Sequence, residues 1–319
     1  MEDTRLSEPM DGPSHDASHG CSKASPSSAL RLCGITIASR AALVRLFVLM
    51  GAIAIALVVA RRMWIVMPGN SFTGALPEAT PAERALAEAL ARDVQFLAGE
   101  IGPRNRAFAR AYTRAADHIE RRLRSMGYEP RREPSPDHDP TASPGNIIVE
   151  RHGGARSEEI LVIGAHYDSF EDSPGANDNA TGVAAVLALA EAFSPARRPA
   201  APERTLRFVL FADEEPPYFQ TEDMGSLTHA RASRRAGDRI VGMLSLETMG
   251  WYSDEPESQK YPPPLGSLYP DRGNFIGFVA NPRSRAFLHE VIGAFRETTE
   301  FPSEGAALPG VIPGISWSD

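Results

Sequence analysis

The hydrophobic and polar positions divide the chain into contrasting stretches. Residues 1–40 hold few large apolar side chains among many Ser, Pro, Asp and Gly, the composition expected of a disordered N-terminal tail. Residues 41–67 (AALVRLFVLMGAIAIALVVARRMWIVM) contain an unbroken apolar run of 15 residues, Leu46 to Ala60. Counting back to Ala41 gives 20 residues, enough to span a bilayer if Arg45 snorkels toward the headgroups. A signal peptide and a buried helix compete with a membrane anchor for this run. The leader before it is long for a signal, and Arg61, Arg62 and the polar tail flank it, so a single transmembrane anchor is the expected element. Arg31, Arg40 and Arg45 on one side barely outweigh Arg61 and Arg62 on the other, and the arginines alone set no firm orientation.

After a linker over 68–80, the periodicity becomes that of a folded domain running from 81 to 319. Thr80-Pro81-Ala82-Glu83 reads as a helix start, with threonine as N-cap and proline at the first helical position, and the helix runs to about Ala98. A second helix is expected over 105–126, closed by Gly127. From residue 146, continuous apolar strands (NIIVE, EILVIGA, TLRFVLFA, GMLSLE, NFIGFVA) alternate with helices over 179–193, 224–236 and 283–299. Strands apolar at every position are buried on both faces. The pattern therefore predicts an α/β fold: a three-layer sandwich with a mostly parallel central sheet flanked by helices, preceded by a single transmembrane helix.

Composition changes this picture little. The formal net charge of −8, with no basic block, argues against a nucleic-acid partner. Both cysteines, Cys21 and Cys33, lie near the N-terminus, so no disulfide framework holds the main domain.

The chemistry gathers where strands end. EILVIGA runs into His166-Tyr167-Asp168, TLRFVLFA into Asp213-Glu214-Glu215, and LSLE ends in Glu247, while Asp178 stands at the start of a helix. Strand alternation puts His166 and Asp168 on one face, so Asp168 can hold one imidazole nitrogen while the other faces a metal. Each residue alone also reads as an N-cap or a solvated charge. Together they deliver a histidine and several carboxylates to one sheet edge, and Glu247 sits in a run otherwise suited to burial, where a cation is the economical partner. Imidazole with carboxylates suits zinc best, with manganese or cobalt as alternatives.

In order along the chain, GAHYDS, GANDNATG, FADEEPPYFQTEDMGS and LSLETMG resemble the successive motifs of the M28 family of zinc metallopeptidases, which includes many aminopeptidases. The resemblance covers roughly residues 80–319. It implies that His166 and Glu247 bind one zinc, that Asp178 bridges two zincs, and that Glu215 binds the second. It makes Glu214 the general base and Asp168 the partner that holds His166. Many members carry Asp where this chain has Glu247. The implied reaction is hydrolysis of N-terminal peptide bonds, with two metals activating a shared water and Glu214 passing its proton to the leaving amine. A related carboxypeptidase, a glutaminyl-cyclase-like enzyme and a non-catalytic binding module of the same fold are the alternatives. The resemblance further implies a cis or strained Asp178–Asn179 peptide and a catalytic part on the non-cytoplasmic side of the membrane. His15, His19, His118, His138, His152, His229 and His289 carry no ligand signature, and Trp251 and Tyr252 are candidates for a substrate pocket. The chain stops at GISWSD, which the family normally follows with a His and later with a last metal-ligating His. The expectation is thus a domain lacking its C-terminal part, with one sound metal site and poor activity.

Overall fold

The computed structural model describes residues 29–32, 35–135, 142–315 and 317–319, so most of the expected tail, with His15, His19, Cys21, Cys33 and His138, lies outside the described residues. Contacts divide the chain into two units, Met1–Ala60 and Arg61–Asp319. In the first, β1 (Ala29–Leu32) and β2 (Ile35–Ser39) pair antiparallel, so the end of the expected disordered tail is a hairpin. Helix α1 (Arg40–Trp64) follows directly, and none of its residues is buried. At about 1.5 Å per residue its 25 residues are longer than a bilayer core of about 30 Å.

In the second unit, residues 68–71 are tied down rather than free. Arg296 donates to the carbonyls of Pro68 and Gly69, and Ser71 accepts from the amide of Ser303. Helix α2 (Pro81–Val94) starts on a capping box: the Thr80 hydroxyl accepts from the Glu83 amide, and the Glu83 carboxylate accepts from the Thr80 amide. A π-helical turn over Gln95–Ile101 precedes α3 (Ala109–Ser125). Tyr112, Ala115, Ala116, Ile119 and Leu123 recur at helical spacing along α3, and that stripe is its buried face.

The central sheet consists of β3 (Arg131–Glu133), β4 (Asn146–Arg151), β5 (Arg156–His166), β6 (Arg204–Phe211) and β7 (Arg239–Ser245), in the order β3-β4-β6-β5-β7. It is a mixed sheet. β6, β5 and β7 run parallel, whereas β3 and β4 add an antiparallel edge. Helix α4 (Thr181–Ala192) connects β5 to β6, and α5 (Gly225–Ala236) connects β6 to β7. Alternate strand residues feed two cores. Ile147, Val149, Ile163, Leu206, Phe208 and Leu210 pack with α3 and α4, and Ile148, Ile160, Val162, Val209 and Phe211 pack on the opposite face. This is why β4, β5 and β6 read as apolar runs, whereas β7, at the sheet edge, keeps Ile240, Val241 and Met243 exposed. A second, two-stranded parallel sheet joins β8 (Ile276–Ala280) to β9 (Ser303–Ala307) through α6 (Arg285–Thr298).

Chain order places β6 and β7 on opposite sides of β5, so successive connections leave the strands in opposite directions. In an open α/β sheet the crevice at such a point, beyond the carboxyl ends of the strands, is where ligands bind.

Candidate metal centre

β5 delivers His166 to that crevice fully buried. Its Nδ1 lies 3.5 Å from Asp168 Oδ1, and its Nε2 faces Asp178 Oδ1 at 3.0 Å, Glu214 Oε2 at 3.9 Å and Glu247 Oε1 at 3.9 Å. Asp168 does two things at once, because its Oδ2 also accepts the Glu215 amide at 3.0 Å and so ties the end of β6 to the end of β5. The Asp178–Asn179 peptide is cis, in line with the resemblance.

Asp178 and Glu247 are held face to face by a clip between two loops. The Asn177 side chain accepts from the Gly250 amide, Asn179 donates to the Leu246 carbonyl, and Thr181 accepts from the Met249 amide. Asn177, Asn179 and Thr181 thus all bind the segment after β7, which brings Asp178 up to Glu247 and His166. The approach is close enough that a Cβ on Gly182 would stand 2.2 Å from the Leu246 carbonyl oxygen, so only glycine fits there.

At the end of β6, Asp213 is buried with φ at 57°, in the left-handed region. Arg106 (3.0 Å) and Ser143 (2.6 Å) bind its carboxylate, and the Tyr112 hydroxyl accepts from its amide at 2.9 Å. The turn at Asp213 lets consecutive residues diverge: its own side chain faces those partners, while Glu214 and Glu215 face His166.

So many carboxylates in one buried place oppose their own ionisation. Burial pushes Glu214 up to about 8, against His166 and reinforced by Asp319, Asp168 and Glu247. Burial and then Asp178 push Glu215 up to about 7. Burial also raises Glu247 and takes Asp319 to about 7. Burial alone would lower the pKa of His166, but hydrogen bonding to Asp168 and Asp178 outweighs it and holds the pKa well above the ordinary range.

Both nitrogens of His166 are buried without a well-formed hydrogen bond, as is Asp168 Oδ1. A buried imidazole ringed by carboxylates that repel one another fits a divalent cation. Two sets of donor atoms are close enough to hold one: His166, Asp178 and Glu247, and His166, Glu214 and Glu215. The side chain of Asp178 is 51% exposed, so the cluster opens to solvent on that side.

The remaining described histidines stand elsewhere. His118 stacks on Phe96 beside Asp93, His229 pairs with Glu133, His152 is exposed near Glu150, and His289 lies on α6. Trp251 is exposed, and Tyr252 packs edge-on against Phe301. Arg104, Tyr112 and Asn179 support the cluster although nothing in the motifs marked Arg104 or Tyr112.

Residues 146–273 match the sequence model of peptidase family M28. Over 257 residues the chain is 35% identical to the Escherichia coli (strain K12) protein YfbL, described as uncharacterized, covering 78% of this chain and 76% of YfbL. The chain belongs to peptidase family M28. Membership makes it a zinc metallopeptidase acting on peptides. A probable zinc metalloprotease of Pyricularia oryzae is 34% identical over 113 residues, covering 33% of this M28 chain and 21% of that protein. LapB from Legionella pneumophila shares the fold, with a TM-score of 0.53 at 14% identity, over 79% of this chain and 63% of LapB.

Proposed function

We propose that this M28 chain is an aminopeptidase that uses two zinc ions. His166, Asp178 and Glu247 hold the first ion, the three-protein-ligand set usual for catalytic zinc. Glu215, whose charge is felt by Asp178, would contribute to the second together with that shared carboxylate. Zinc held there would supply Lewis acidity toward the scissile carbonyl and would acidify a water. Glu214 takes that water's proton and returns it to the leaving amine. Asp168 fixes the ring of His166. The observation that carries the reading is the convergence of Asp178, Glu214 and Glu247 within 3.9 Å of His166 Nε2.

Charge favours amino-terminal over carboxy-terminal recognition. The crevice is rich in carboxylates, which suit a substrate ammonium group. The two arginines beside it are already engaged, Arg106 by Asp213 and Arg104 by backbone carbonyls, so neither is offered to a substrate carboxylate. The zinc-loaded chain is expected to hydrolyse aminoacyl anilides and to leave their N-acetylated forms intact. Faster cleavage of N-blocked peptides with free C-termini would point to a carboxypeptidase, and ammonia release from N-terminal glutamine would point to a cyclase.

Helix α1, with its exposed apolar length, is proposed as a membrane anchor that leaves the peptidase unit on the non-cytoplasmic side. The full chain is expected to stay in the membrane pellet after alkaline carbonate washing and to be cut by protease added to intact spheroplasts. Release into the wash, or protection until lysis, would refute the anchor or its orientation respectively.

A further inference from the structure

A guanidinium buried in a protein is ordinarily met by a carboxylate. Arg104 is fully buried, yet every side-chain hydrogen bond it makes goes to a backbone carbonyl. Its Nε donates to Tyr167 O at 2.8 Å, its Nη2 to Gly175 O at 2.8 Å and its Nη1 to Pro174 O at 2.5 Å, with longer reaches to Gly102 and Leu97. The three nearest acceptors lie at the two ends of one loop: Tyr167 follows His166, and Pro174 and Gly175 stand just before Asp178.

The backbone repeats the clasp. The amide of Arg104 donates to Ser169 Oγ, the amide of Ser169 donates to the Arg104 carbonyl, and Asn105 Nδ2 donates to the carbonyls of Ser169 and Glu171. Gly175 has φ at 55°, and a Cβ there would stand 2.6 Å from Asp178 O and 3.1 Å from Arg104 Nη2, so the loop closes on the guanidinium only with glycine.

We propose that Arg104 is a positioning residue that bridges the two ends of the 167–175 loop and so fixes the separation of His166 and Asp178 before any metal is bound. The inference rests on the metal-site reading given above. A planar guanidinium presents its donors at fixed angles, so three carbonyls bound to one fork cannot drift apart. Lysine offers a point charge on a flexible stem and sets no such spacing. The charge is also in the right place. Burial lowers Arg104 to about 10, against Asp168, Asp178 and Glu215, so it stays protonated at neutral pH and offsets the repulsion among those carboxylates.

The test compares the metal-free full chain with Arg104→Lys and Asn105→Ala, reading amide hydrogen exchange and then cobalt(II) affinity from the visible absorption of the bound ion. In Arg104→Lys, amides of 169–180 are expected to exchange about tenfold faster while those of β6 stay protected, and cobalt affinity falls about 10–100-fold, the usual effect of removing a group that orients a ligand. Asn105→Ala, which removes only the ties to Ser169 and Glu171, shifts the same amides less and keeps the test alive if the lysine variant does not fold. Unchanged loop exchange with unchanged cobalt affinity would overturn the proposal. So would equal acceleration in the loop and in β6, the mark of a residue that stabilises the domain without setting the loop. Failure of the wild-type chain to bind cobalt would sink the metal-site reading, while the metal-free exchange still decides the role of Arg104.

Discussion

Glu214→Gln is expected to lower kcat on an aminoacyl anilide by about 10²–10⁴-fold with zinc content unchanged, the range a positioned general base supplies. A thousandfold loss corresponds to about 4 kcal/mol of transition-state stabilisation. Glutamine keeps the size and position of the side chain, 3.9 Å from His166 Nε2, but cannot accept a proton and hold it as a carboxylate does. Because Glu214 is assigned to the reacting water rather than to a metal, KM should change little. Metal analysis by mass spectrometry alongside the kinetics separates the roles. Loss of a zinc equivalent in the glutamine variant would make Glu214 a ligand and remove it as the base. That outcome has a structural basis to be excluded, since Glu214 and Glu215 lie close enough to His166 to share an ion.

The second large effect is on stability. Stripping the metal is expected to lower the melting temperature by about 10 °C at neutral pH, since a ligand held at a thousand times its Kd stabilises by about 4 kcal/mol. The pH dependence follows from the carboxyl groups. In the folded metal-free chain Glu214 is raised to about 8 and Glu215 to about 7, above the ordinary value of about 4.3 that holds in the unfolded chain. Between about pH 4.5 and 8 the folded state therefore binds more protons, and its stability falls as pH rises through that window. Bound metal takes the place of those protons. The gap between metal-bound and metal-free melting temperatures should widen from pH 5 to pH 8, which thermal melts in zinc and in chelator will show. A gap that narrows toward pH 8 would contradict the assignment.

The domain was legible in the sequence wherever burial on both faces left a continuous apolar run, as in β5 and β6. Strand direction was not, because Ile147, Ile148 and Val149 are buried equally well whichever way β4 runs, and its antiparallel pairing with β6 leaves no mark in composition. β3 and β9 went unseen for a related reason. Their sequences, Arg-Arg-Glu and Ser-Glu-Gly-Ala-Ala, contain no large apolar residue, and their strand form is set by the neighbours they pair with. His166, Asp178, Glu214, Glu215 and Glu247 were visible because acidic and imidazole groups stand out where an apolar strand ends. Arg104 was not, since its partners are backbone carbonyls common to every residue type. Residues 68–71 read as a linker for the same reason: their ties to Arg296 run largely through main-chain oxygens.

The clip between 177–181 and the loop after β7 also matters to anyone re-engineering this scaffold. Its last bond reaches the amide of Gly250, and the exposed Trp251 begins immediately beyond it. Loop exchange therefore has a natural joint at that peptide. Segments grafted after Gly250 inherit a candidate metal cluster whose His166, Asp178 and Glu247 all lie upstream of the joint. A splice made even three residues earlier replaces the Met249 and Gly250 amides that bind Thr181 and Asn177, and would have to rebuild those two ties before any new specificity could be selected.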